Sequence, residues 1–151
     1  MSNESKNMVS SLTVLQSSLV VLYQKARNYH WNVSGPEFFQ LHTAFEKFYD
    51  ALATDIDDVA ERVRILGAPA VGTLAEMLPL SLVKEEVGLY PDAKTMVKNI
   101  TSDFQLVTDY IRSAAAKAQS EFQDEVTAGM LYGLAQNYEK TLWMLKETAK
   151  L

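Results

Sequence analysis

The chain of 151 residues contains no cysteine, only two histidines and no long apolar run. The absence of cysteine excludes disulfide bonds and metal sites built on thiolates. No stretch of about 18 consecutive apolar residues is present, which excludes a transmembrane helix. Residues 1–7 are polar and lack the apolar stretch of a signal peptide. These absences predict a cytoplasmic protein with a short polar N-terminal tail, residues 1–7, and a single domain, residues 8–151.

Basic residues are also in the minority. Lysine and arginine together number 14, against 19 aspartate and glutamate residues, so the formal net charge is −5 and the isoelectric point is about 5.0. A protein that binds the phosphate backbone of nucleic acids needs a concentrated basic surface. The N-terminal segment holds one base, Lys6, and one acid, Glu4, and offers no such surface. We therefore expect no direct DNA binding.

The spacing of apolar residues predicts four long helices. The first ends at residues 34–36, Ser-Gly-Pro, and the second carries nine apolar residues at spacings of three or four before Gly67. The third opens at Asp92, and a short helix over residues 73–77, entered from Thr73, falls in the crossover between the second and third. The fourth contains a further apolar series, Leu131, Leu134, Tyr138, Leu142 and Leu145. A short first turn and a long crossover predict an all-α, ferritin-like four-helix bundle.

The second helix carries a polar stripe beside its apolar face. At about 100° per residue, the nine apolar residues fall within roughly 40° of Leu52. Four residues form a second stripe outside that arc: His42, Glu46, Asp57 and Glu61. Imidazole and carboxylate groups are the ligands that proteins offer to iron, manganese or zinc. A lone histidine near a helix end is more often structural, but its alignment with three acids favours a metal site.

One copy of the second helix cannot assemble that site, because His42 and Asp57 lie about 22 Å apart along a straight helix. Two antiparallel copies can, since residues 42 and 61 are equidistant from the middle of the stripe, as are residues 46 and 57. His30, at the end of the first helix, lies near His42 and can join it. The alternative, a site inside the bundle built on Glu-x-x-His, lacks its motif here. The stripe therefore predicts two identical sites per dimer, each shared between two chains.

Two segments carry a resemblance to a known family. Residues 27–49, RNYHWNVSGPEFFQLHTAFEKFY, and residues 57–67, DDVAERVRILG, resemble the signature of the Dps family, the mini-ferritins named for DNA protection in starved cells. The likeness runs along almost the whole chain. It implies a four-helix bundle with a short helix in the crossover and a hollow homododecamer. It also implies oxidation of Fe(II), preferably by hydrogen peroxide, and storage of the ferric product inside.

The resemblance also implies roles for individual residues. His30 and His42 would come from one subunit, and Asp57 and Glu61 from its two-fold mate. Glu46 would bind or bridge a second iron, or hold a water molecule that does. Iron is the implied metal, and zinc or manganese are further occupants of such a site.

Trp31 matches an aromatic residue that the family places near the iron. The resemblance implies an electron donor that quenches a stray radical, and Tyr29 and Tyr49 would extend that role. Ordinary packing is an equally weighted interpretation of Trp31.

Three acids lie around the start of the fourth helix: Glu121, Asp124 and Glu125. The resemblance implies that they line three-fold pores that draw iron inward, since a negative funnel concentrates cations. The alternative is that they are helix N-terminal acids. Gly129 stands where relatives can carry another acid, which would weaken the funnel.

Three functions compete at this point. The first is an iron-oxidising, iron-storing mini-ferritin. The second is a nucleoid-associated, DNA-compacting protein in which iron oxidation is secondary, and the missing basic tail disfavours it. The third is a structural or adhesive helical assembly, which bound metal and peroxide-dependent Fe(II) oxidation would exclude.

Overall fold

The computed structural model of the protein describes residues 3–150 and the side chains from Met8 to Lys150, and this range contains five helices. They are α1 (Asn3–Asn32), α2 (Phe38–Ile65), α3 (Leu74–Leu80), α4 (Ala93–Ser120) and α5 (Glu125–Thr148). No strand occurs within residues 3–150. The predicted all-α architecture is confirmed. Helix α1 begins inside the polar segment 1–7, and the division of the chain into a tail and a domain stays a prediction.

Two glycines separate the helices where the sequence predicts breaks. Gly35 has φ +110° in the turn between α1 and α2, and Gly67 has φ +94° just after α2. These values lie in the region that glycine adopts without steric cost. The Gly67 N–H also bonds to the Arg64 carbonyl oxygen and so closes the end of α2.

Polar side chains cap the starts of the last three helices. Thr73 accepts the backbone N–H of Glu76, which opens α3, and Asp92 accepts that of Thr95, which opens α4. Asp124 does the same for α5. Each cap satisfies an N–H that has no partner within its helix. The caps predicted at Thr73 and Asp92 are confirmed.

The core lies between two helix pairs. Helix α1 packs along α2, α4 packs along α5, α1 also contacts α4, and α3 lies against α1. Helix α2 buries one face, made of Leu41, Phe45, Leu52, Val59 and Val63. Over the described residues of the single chain, its opposite face is exposed, including Glu46, Asp57 and Glu61. No helix among the described residues is long and apolar enough to span a membrane.

Candidate metal centre

His30 and His42 hold each other in place where α1 ends and α2 begins. The Nδ1 atom of His30 lies 2.7 Å from the backbone carbonyl oxygen of His42. The Nδ1 atom of His42 lies 2.7 Å from the backbone carbonyl oxygen of His30. The two rings stack with centroids 3.7 Å apart and planes 18° from parallel. We call this arrangement the histidine pair.

The hydrogen bonds of the histidine pair determine which ring nitrogens are free. A carbonyl oxygen only accepts hydrogen bonds, so each Nδ1 carries the hydrogen and donates it. The lone pair of each neutral ring is then on Nε2, where a metal ion can bind. Metal-binding histidines usually donate their other ring N–H to a carbonyl or a carboxylate in this way. The pair therefore presents two imidazoles with tautomer and orientation already established.

Aromatic rings flank the histidine pair on both sides. Phe38 stacks on His42 with ring centroids 5.0 Å apart, and Tyr49 meets His30 edge-on at 5.3 Å. His30 is buried, with 7% of its surface exposed, and His42 is half-buried. This shielding from water strengthens electrostatic interactions with a bound cation.

The acids of the stripe lie on the exposed face of α2. Glu46, Asp57 and Glu61 are all exposed. Asp57 is about 22 Å along the helix from His42, and Glu61 is one turn further. Among side chains 8–150 of the single chain, no three His, Asp or Glu residues group into a metal site. The structure thus brings the two histidines together and leaves Asp57 and Glu61 at the far end of α2. Their meeting across a two-fold axis stays a prediction.

Trp31 lies next to the histidine pair in sequence but is 55% exposed. Its ring centroid is 4.9 Å from the guanidinium carbon of Arg27. The aromatic ring that meets His30 is that of Tyr49. Sequence reasoning missed Arg27, although its four-residue spacing from Trp31 on α1 is a detectable signal. The relay role of Trp31 stays a prediction.

The three acids near α5 occupy different environments. Glu121 and Glu125 are exposed, but Asp124 is half-buried and accepts hydrogen bonds from Thr127 and, at 3.2 Å, from Arg62. Partial burial opposes ionisation of Asp124, yet the bonds from Thr127 and Arg62 outweigh it and lower its pKa. Asp124 is therefore an ionised helix cap whose charge Arg62 partly neutralises. The pore role of all three acids stays a prediction.

Arg62 is a second residue that sequence reasoning missed. It joins the end of α2 to the start of α5, donating to the Thr127 hydroxyl at 2.8 Å as well as to Asp124. The contact links the segment that carries Glu61 to the segment that carries the candidate pore acids. Its partners are more than 60 residues away, and no local pattern indicates them.

Comparisons with known proteins agree over nearly the whole chain. Residues 10–151 match the ferritin-like domain family. A DNA protection during starvation protein of Porphyromonas gingivalis is 41% identical over 142 residues, which cover 94% of this chain and 88% of that protein.

Solved structures show the same fold. A Dps protein from Bacillus brevis has a TM-score of 0.93 at 36% sequence identity, and the match covers 98% of both chains. A Dps protein from Vibrio cholerae O1 is described as a member of a broad superfamily of ferritin-like diiron-carboxylate proteins. It has a TM-score of 0.90 at 30% identity, over 95% of this chain and 89% of that one.

Proposed function

Because this chain belongs to the Dps family of mini-ferritins, we propose that it is a ferroxidase that stores iron. It oxidises Fe(II), preferably with hydrogen peroxide, at sites shared between two subunits. The ferric product is held inside a hollow homododecamer in the cytoplasm, and the reaction protects the cell from oxidative damage. Direct DNA binding is not part of the proposal, because the net charge of −5 opposes it.

The observation that carries the proposal is the histidine pair. Each Nδ1–H donates a hydrogen bond to a carbonyl oxygen 2.7 Å away, which leaves both Nε2 atoms available to bind a metal. Metal-binding histidines usually donate their other ring N–H to a carbonyl or carboxylate oxygen, and both members of the pair do so. No other histidine exists in the chain to serve that purpose.

In the proposed site the chemistry is divided among four ligands and a bridge. His30 and His42 of one subunit bind Fe(II) through imidazole nitrogen, which favours the reduced ion. Asp57 and Glu61 of the two-fold mate supply hard carboxylate oxygens, which stabilise Fe(III). Glu46 bridges to a second iron or holds a water molecule against it. Zinc or manganese would occupy the same donors when iron is scarce.

Two irons at one site account for the complete reduction of peroxide. Two Fe(II) ions, one hydrogen peroxide and two protons give two Fe(III) ions and two water molecules. Each iron gives one electron and the O–O bond breaks once. Because both electrons arrive at the same site, no hydroxyl radical is released.

Stopped-flow oxidation of Fe(II) tests the function directly. The wild-type assembly should oxidise Fe(II) faster with peroxide than with oxygen, at a stoichiometry of two irons per peroxide. A double variant, Asp57→Asn with Glu61→Gln, should lose the fast phase because the amides are poor ligands for Fe(III). A matched control, Asp109→Asn with Glu147→Gln, removes the same charge from exposed positions on α4 and α5 and should keep it. Equal loss in both variants, or no fast phase in the wild type, would overturn the proposal.

A further inference from the structure

Five polar side chains join the end of α1 to α4 and to the crossover. Lys25 and Tyr29 lie four residues apart on α1, and Asn99 and Asp103 lie four residues apart on α4, so each pair shares one face of its helix. Glu86, in the segment between α3 and α4, is the fifth member. We call this set the polar cluster.

Ion pairs and hydrogen bonds connect all members of the polar cluster. The ammonium nitrogen of Lys25 lies 2.8 Å from a carboxylate oxygen of Asp103 and 3.5 Å from one of Glu86. The side-chain N–H groups of Asn99 donate to Glu86 at 2.9 Å and to the Tyr29 hydroxyl at 3.1 Å. That hydroxyl lies 3.5 Å from the other carboxylate oxygen of Glu86, to which it donates. The cluster therefore fastens α1 to two other segments of the chain.

Tyr29 connects the polar cluster to the metal centre. Its side chain is 1% exposed, and its ring packs against that of Phe45 on α2, with the centroids 5.7 Å apart. Phe45 follows His42 by three residues, and Tyr29 directly precedes His30. The Tyr29 side chain thus contacts α2 about one turn from one histidine, while its backbone continues into the other.

The histidine pair is sensitive to the distance between the backbones of α1 and α2. Each ring donates to the carbonyl oxygen of the other histidine at 2.7 Å, so a displacement of α1 along α2 would distort both hydrogen bonds at once. Hydrogen bonds weaken steeply when they are misaligned. These two bonds also orient the Nε2 atoms. A contact that fixes the end of α1 therefore fixes the direction of both proposed ligands.

We propose that Tyr29 is a positioning residue for the metal centre. Its hydroxyl, held by Asn99 and Glu86, fixes the end of α1 so that both imidazoles of the histidine pair point at one ion. This inference rests on the metal site proposed above. Tyr29 is not a ligand in that site, because its hydroxyl is bonded to α4 and to the crossover.

Tyr29→Phe isolates this role. The variant keeps the ring that packs on Phe45 and loses only the hydroxyl. Asn99 and Glu86 each lose a partner in a largely dehydrated site, which costs more than the hydrogen bond itself contributes. The cluster then holds α1 less firmly where the histidine pair begins.

Titration of the assembled, metal-free protein with Co²⁺ tests the role. Co²⁺ accepts the same imidazole and carboxylate donors as Fe(II), and its visible absorption reports the geometry of its ligands. We expect Tyr29→Phe to bind Co²⁺ about tenfold more weakly than wild type, the lower end of the loss when an outer partner of a metal ligand is removed. The absorption bands should change as well, because the two imidazoles are no longer held in one orientation.

Tyr110→Phe is the matched control. Tyr110, on α4, donates from its hydroxyl to the backbone carbonyl oxygen of Ser11 on α1 at 2.9 Å. The substitution removes a phenol hydroxyl that also joins α1 to α4, but about 28 Å along α1 from His30. The melting temperature should fall in both variants, whereas the Co²⁺ affinity should fall only in Tyr29→Phe.

Asn99→Ala tests whether Tyr29 acts through the polar cluster. Alone, this substitution should weaken Co²⁺ binding, because it removes the donor to the Tyr29 hydroxyl. Added to Tyr29→Phe, it should weaken binding little further, since the contact is already absent. Two losses of affinity that multiply in full would show that Tyr29 does not act through Asn99 and would overturn the inference.

The remaining outcomes separate the inference from the function on which it rests. Wild-type Co²⁺ affinity in Tyr29→Phe, or an equal loss in Tyr110→Phe, overturns the positioning role and leaves the proposed ferroxidase intact. A wild type that binds no Co²⁺ overturns the metal centre, and the inference with it. The same conclusion follows if His30→Asn with His42→Asn binds Co²⁺ as tightly as wild type.

Discussion

Subunits altered on opposite halves of the proposed site should restore each other's activity. One variant, His30→Asn with His42→Asn, removes both Nε2 ligands. Asparagine keeps an N–H donor near the position of Nδ1, so the bonds to the two carbonyl oxygens can persist. The other variant, Asp57→Ala with Glu61→Ala, removes the carboxylates and changes only exposed side chains.

The expected recovery follows from geometry. Because about 22 Å of helix separates His42 from Asp57, no chain supplies both halves of one site. After equal amounts of the two variants are mixed, dissociated and reassembled at random, half of the dimers contain one chain of each kind. Every mixed dimer has one intact site and one empty site, so about one quarter of all sites should be active.

The assay is the amplitude of the fast phase of peroxide-dependent Fe(II) oxidation. Each variant alone should show none, and the reassembled mixture should show about one quarter of the wild-type amplitude. Native mass spectrometry establishes that mixed dimers have formed. If mixed dimers are present and no amplitude returns, the shared-site reasoning is refuted, because a site contained within one chain would remain broken in every dimer.

Three other predictions address charge and stability. The metal-free protein should not retard linear DNA at about 0.15 M salt, and tight, salt-sensitive retardation in a gel would contradict this. Glu121→Gln with Glu125→Gln should slow iron uptake, most of all at low salt, where the electrostatic steering of Fe(II) is least screened. Gly129→Asp, at a position where a Cβ meets no other atom within 4 Å, should speed iron uptake. Uptake rates that do not depend on ionic strength would show that iron enters elsewhere. Asp124→Ala should lower the free energy of unfolding by about 1–2 kcal/mol, because it removes the α5 cap and a partner of Arg62. Since folding lowers the pKa of Asp124, this contribution is present above the unfolded pKa and disappears as pH falls through the folded one. The melting temperatures of wild type and variant should therefore converge in acid, and a constant difference would show that the charge is irrelevant.

Local signals made most of the fold predictable from sequence. Glycine and proline mark the ends of α1 and α2, and the side chains of Thr73 and Asp92 cap the next helices by bonds that span three residues. Helix α3 extends to Leu80, further than the segment ending at Met77 that the sequence suggested, even though Pro79 lies within it. Proline costs little there because so short a helix has few internal hydrogen bonds to lose.

Contacts between distant segments were not predictable in the same way. Arg62 with Asp124, and Tyr23 with Tyr49, depend on how two helices are rotated about their axes, which spacing along one helix does not determine. The sequence indicates that His30 and His42 are neighbours. The exchange of hydrogen bonds between their rings and backbones depends on the turn at Gly35, whose geometry only the folded chain reveals.

Each histidine of the pair serves the fold with Nδ1, and in the proposed site Nε2 is left for the ion. The loss of rotational freedom that a ligand normally incurs when it captures a metal has already occurred during folding. At the proposed site, part of the affinity for iron would therefore come from the rigidity of the five-residue turn between α1 and α2, residues 33–37, which supplies none of the proposed ligands. Gly35→Ala, which strains a residue at φ +110°, should weaken metal binding at a distance. Because both histidines also stabilise the fold, a mutational screen that measured only protein abundance, without any iron, would identify both as important.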